Sequence, residues 1–102
     1  MKDTFDLILM YTIVDSDDFR IAFYDRIKEM IENQLNESTY SIIYDKDISN
    51  IKADINRIIL ECKKEAEISE LPMGTFIDLY YAESLVDKKS KNDKIKRYQF
   101  IE

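Results

Sequence analysis

The sequence contains no histidine in 102 residues. That removes the commonest general base, the Ser–His and Cys–His nucleophile pairs and imidazole ligation of metals. A metal bound by this chain would be held by oxygens, which points to Mg, Mn or Ca. A single cysteine, Cys62, excludes an intrachain disulfide and a structural zinc site. One glycine and one proline argue against a disordered or loop-dominated chain. Gly-rich phosphate loops and the HExxH, CxxC and GxSxG motifs are all missing. No apolar run approaches the ~20 residues that span a bilayer, so no membrane partner is expected. The opening MKDTFD turns acidic before any long apolar stretch, which reads as no signal peptide and a cytoplasmic protein.

What is present suits one small domain covering residues 1–102. Hydrophobic residues make up 45%, and seven Tyr and five Phe supply large side chains for a core. The net charge is −6, unevenly spread. Residues 88–97, KKSKNDKIKR, hold six bases and one acid, whereas residues 1–86 hold nine bases against eighteen acids. An acidic body disfavours general nucleic-acid affinity, which depends on neutralising phosphates. A local basic segment can still supply it.

The stretch FDLILMYTIVDSDD organises the chain. Phe5 to Val14 is apolar on both strand faces, the pattern of a central strand covered on both sides. Phe19, Phe23, Ile27, Met30, Ile31 and Leu35 then recur at helical spacing, predicting an amphipathic helix of about five turns over 18–35. Thr39 to Tyr44 reads as a short strand. Ile51, Ile55, Ile58, Ile59, Cys62 and Ala66 form the stripe of a second helix within 48–68, capped by Asp47 or Ser49. The turn SELPMG leads to a strand over 75–82. Residues 84–94 read as a flexible polar connection, and 95–101 as a last strand at an edge or paired with another chain. The order β-α-β-α-β-β predicts an α+β sandwich of ferredoxin-like type, with two helices on one face of a small, mainly antiparallel sheet. A hairpin within 36–47 would complete it.

Asp15, Asp17 and Asp18 are the carboxylates crowded at the end of the central strand. They can serve a divalent cation that activates water, more credibly if a two-fold dimer brings two copies of Asp15 together. They can equally start a helix, since Ser and Asp cap N-termini and favour the helix dipole. Arg20 and Arg26 can meet a phosphate or pair with neighbouring acids at helical spacing. The Lys-rich segment, with Lys88, Lys89 and Lys91, can contact phosphates or lie solvated. Tyr11, Tyr40, Tyr44, Tyr80, Tyr81 and Tyr98 are at strand spacing, which fits core and interface before base stacking. Cys62, inside an apolar stripe, reads as a small buried side chain.

The run Asp15-Ser16-Asp17-Asp18-Phe19-Arg20 behind an apolar strand resembles the opening of the small CRISPR-associated protein two family. Tyr40-Ser41-Ile42-Ile43-Tyr44-Asp45 is similar to that family's second strand, and Leu79-Tyr80-Tyr81 to a later one. Lys94-Ile95-Lys96 looks like the short last strand that in the family crosses to the partner subunit. The resemblance covers nearly the whole chain. It implies a ferredoxin-like homodimer that handles nucleic acid, either as a metal-dependent endonuclease using Mg or Mn or as the non-catalytic core of a spacer-integration complex. Asp15 is then the catalytic, metal-binding acid, assisted by Asp17 or Asp18, with Arg20, Lys88, Lys89 and Lys91 near phosphate. The acidic body and missing histidine keep a second expectation open: a non-enzymatic antitoxin, inhibitor or regulator that binds a protein partner through its acidic face or an edge strand.

Overall fold

In a computed structural model, residues 7–44, 50–83 and 94–100 are described. Five strands form one sheet in the order β2-β3-β1-β4-β5, every neighbouring pair antiparallel. They are β1 (Leu7–Thr12), β2 (Ile31–Asn36), β3 (Thr39–Ile42), β4 (Phe76–Ala82) and β5 (Ile95–Gln99). Helix α1 (Asp17–Ile27) connects β1 to β2, and α2 (Ile51–Glu65) lies between β3 and β4. This is the ferredoxin-like α+β arrangement, with β1 at the centre and β5 added outside β4.

Side-chain alternation decides which sheet face carries the helices. Leu7, Leu9 and Tyr11 of β1 are buried and lie opposite Tyr81, Leu79 and Ile77 of β4. Phe23 of α1 meets Tyr11 edge-on at 4.9 Å, and Lys52 of α2 sits over the rings of Tyr81 and Tyr98. Both helices therefore cover one face. Phe19, Ala22, Phe23 and Ile27 of α1 and Ile51, Ile55, Ile58, Ile59 and Cys62 of α2 close the core against it. On the other face Ile8, Met10, Phe76 and Tyr80 are half-buried and Thr12 is exposed. This second face is mixed in character: Thr39, Ser41 and Asp78, paired with Ile8 and Met10, are buried there beside the apolar side chains.

The largest departure from the periodicity is at α1. The helix ends at Ile27, one 3₁₀ turn follows over Lys28–Met30, and Ile31 turns extended at φ −73°, ψ 121°. Residues 31–36, expected as helix, form β2 and pair with β3. The hairpin therefore exists, but over 31–42, and its two-residue turn is Glu37-Ser38. The Asn36 side chain closes that turn by accepting from the Ser38 amide at 2.9 Å, a local bond that Asn favours over helix. Two register shifts, between Ile31 and Asn33 and between Gln34 and Asn36, break the period of two and hide the strand from pattern reading. Tertiary pairing wins, because β2 covers an edge of β3 that would otherwise be open.

The remaining boundaries are closer to expectation. Asn50 stands at the N-cap of α2 without a side-chain cap bond, and Asp47 and Ser49 lie outside the described residues, as do 84–93 of the expected connection. β5 pairs with β4 of its own chain as an edge strand.

Candidate functional site

The apolar run of β1 ends in a turn built for a change of direction. The Val14 amide donates to the Thr75 hydroxyl at 3.1 Å, and Asp15 takes a left-handed backbone at φ 59°. Aspartate tolerates this region better than most residues, at some conformational cost. Ser16 is extended, φ −153° and ψ 95°, and its hydroxyl accepts from the Phe19 amide at 3.3 Å. Asp17 and Asp18 occupy the first turn, where carboxylates favour the helix dipole. The helix-start reading of this cluster is therefore realised, with Ser16 as the capping residue.

The three acids do not converge. Asp15, Asp17 and Asp18 are each exposed, and Asp17 is turned to the Arg20 guanidinium at 3.3 Å. Among the described residues no group of three or more Asp, Glu or Cys side chains could hold a metal ion. Lys88, Lys89 and Lys91 lie outside the described residues.

Arg20 differs from the other three arginines in how loosely it is held. Arg26 reaches Glu61 and Glu65, each at 3.4 Å, and donates to the Ala22 carbonyl; the bond to Glu65 raises its pKa. Arg57 lies between Asp54 and Glu61. Arg97 is tied to Asp78, whose side chain is 5% exposed. Among the described residues Arg20 forms one ion pair, with Asp17, a partner 86% exposed. Such a pair contributes only about 0–1 kcal/mol, so little opposes exchanging the carboxylate for a phosphate.

Arg20 also borders a cleft of about 600 Å³ between α1 and the β2–β3 hairpin. Tyr11, Thr12 and Ile13 come from the end of β1, Arg20 and Tyr24 from α1, and Gln34, Glu37, Ser38 and Tyr40 from the hairpin. Tyr11 and Tyr40 are stacked, ring centroids 5.4 Å apart, and both are buried. Burial, then the hydrogen bond to Tyr40, push the Tyr11 phenol well above its usual pKa, while Arg20 pulls it down. The phenol therefore stays neutral and polar at the cleft floor. Tyr24, one turn along α1 from Arg20, is 45% exposed. Sequence reasoning passed over Tyr24, Gln34 and Glu37. The i, i+4 spacing of Arg20 and Tyr24 was a readable signal for the first; the other two were hidden with β2.

The other tyrosines are occupied differently. Tyr44 donates to Asp54, Tyr81 accepts from Lys52 at 3.0 Å, Tyr98 lies under Lys52, and Tyr80 is on the sheet face opposite α1 and α2. Cys62 is fully buried, and its thiol is pushed up to about 11 by burial. It is an inert core side chain, as its place in the stripe predicts. No helix among the described residues is long and apolar enough to cross a membrane. Compared with known proteins, the chain matches no family model, no curated protein and no solved structure.

Proposed function

We propose that the protein handles nucleic acid as a homodimer of the CRISPR-associated protein two type, in the manner of a non-catalytic binding subunit. The observation that carries this reading is Arg20: a half-exposed guanidinium near the start of α1, held among the described residues by one solvated acid and bordering an aromatic cleft. A planar guanidinium suits phosphate oxygens, and a cleft rim concentrates its field. The ferredoxin-like sheet, and the half-buried Ile8, Met10, Phe76 and Tyr80 on its face opposite α1 and α2, support pairing of two copies. The Lys-rich segment with Lys88, Lys89 and Lys91 adds positive charge at the far end of an otherwise acidic chain. No metal step is assigned, since no group of three or more metal-ligating side chains forms among the described residues.

The test is fluorescence anisotropy with a labelled single strand and a labelled duplex in EDTA at low salt. The wild type should bind at least one of them, Arg20→Gln should weaken binding, and Arg57→Gln should not. The same samples in Mg or Mn decide the enzymatic version: cleavage that disappears in Asp15→Ala would restore Asp15 as a metal ligand shared across a dimer. The excess of acids in residues 1–86 favours a second reading, an interaction protein that binds a basic protein partner. Failure of both nucleic acids to bind at low salt would move the account to it.

A further inference from the structure

We propose that the cleft beside Arg20 is a pocket for a single nucleotide, with phosphate on the Arg20 guanidinium, the base against Tyr24, and the Gln34 amide and Glu37 carboxylate at the base's polar edge. The inference rests on the nucleic-acid reading above and deepens it, from strand binding to recognition of one phosphate-bearing nucleotide, free or at the end of a strand.

Size and chemistry both favour it. At about 600 Å³ the cleft lies within the usual range for small-molecule sites, roughly 300–1,000 Å³. Its groups come from three separate parts of the chain and converge: Arg20, Tyr24 and Tyr40 all act electrostatically on the Tyr11 phenol. The floor is stiff, because Tyr11 is held by Tyr40 on one side and by Phe23 edge-on at 4.9 Å. The exposed ring is Tyr24, and base stacking on an aromatic is tolerant of sequence. Glu37 argues against a bare anion, since a carboxylate repels phosphate. It fits a ligand that is anionic at one end and donates hydrogen bonds at the other, as a phosphorylated nucleoside with an exocyclic amine does.

The experiment is a ¹H–¹⁵N titration of the full chain in EDTA with 5′-AMP, adenosine and inorganic phosphate in turn. AMP should shift the Thr12, Ile13, Gln34 and Ser38 amides saturably. Adenosine and phosphate alone should each bind at least about tenfold more weakly, as expected when a charged hydrogen bond or a stacked base is lost. Arg20→Gln should cost about tenfold in AMP affinity and Tyr24→Ala about fivefold, by the same two losses. Both side chains are substantially exposed, so the variants keep the fold, which their spectra report directly. No saturable shift at those amides up to about 10 mM AMP, the limit of a useful affinity, overturns the pocket. Equal AMP affinity in Arg20→Gln overturns it too. A circular single-stranded DNA, which has no end, separates the two readings. Binding of the circle without an AMP response removes the pocket and leaves strand binding. An AMP response without any strand binding supports the pocket and removes the strand reading.

Discussion

Replacing Arg97 by alanine should destabilise the protein far more than an ordinary surface substitution. Asp78 lies in β4 on the face opposite α1 and α2, across from Met10 of β1 and Gln99 of β5. Its side chain is 5% exposed, and one oxygen, Oδ2, accepts from Arg97 Nε at 3.2 Å and Nη2 at 2.9 Å. The other oxygen, Oδ1, is buried without a hydrogen-bond partner among the described residues. Removing one partner of a fully buried pair costs about 3–5 kcal/mol, because a desolvated charge is left behind. Arg97 itself is half exposed, so water can take part of its place. A fully exposed pair would be worth about 0–1 kcal/mol. The geometry lies between these limits, and about 2–3 kcal/mol is expected for Arg97→Ala. That is a large part of the roughly 5–15 kcal/mol that holds a domain together. Asp78→Leu removes both the charge and the unpartnered oxygen, and should cost under about 1 kcal/mol or stabilise. Urea unfolding followed by far-UV circular dichroism measures both, and the double variant completes the cycle. In the Asp78→Leu background the Arg97→Ala cost should fall to the ~0.5 kcal/mol of a surface change. An equal cost in both backgrounds would refute the reasoning.

Two further outcomes follow from backbone and burial. Asp15→Val should destabilise by about 1–2 kcal/mol, since a β-branched residue is penalised at positive φ, whereas Asp15→Gly should be neutral or stabilising; thermal unfolding separates them. Folding should weaken in alkali: the Cys62 thiol titrates near 9 when unfolded and is pushed up to about 11 when folded, so between these values the unfolded chain binds fewer protons and stability falls as pH rises. Tyr11 adds to the loss at still higher pH, its phenol also being raised by burial. Urea midpoints at pH 8 and pH 10.5, with Cys62→Ala as the comparison, check the sign.

Legibility in the sequence varied with physics. Leu7, Leu9 and Tyr11 declared β1, and Ile51, Ile55, Ile58, Ile59 and Cys62 declared α2, because each buries one regular face and the period survives in the chain. β2 was illegible because Ile31 and Leu35 continue the helical stripe of α1, while two register shifts erase strand alternation. Only its partner β3 reveals it. At the candidate site Arg20 was readable as a cation near the strand end. Its availability was not, since that depends on what occupies Arg26, Arg57 and Arg97. The acids Asp15, Asp17 and Asp18 looked like a cluster in one dimension; in the fold Asp15 sits in a left-handed turn and Asp17 and Asp18 in the first turn of α1, and together they form no three-ligand group. Asp78 reads as an interruption in the apolar strand TFIDLYYA, and its buried pairing with Arg97 needs the β4–β5 register to be seen.

The central claim is that Arg20 meets a phosphate, and the salt dependence of strand binding tests it most directly. The logarithm of the association constant for a labelled single strand, plotted against the logarithm of salt concentration, should have a slope that is shallower in Arg20→Gln by about 0.7, the contribution of one neutralised phosphate. Binding that is equally tight and equally salt-sensitive in the wild type and in Arg20→Gln would contradict it.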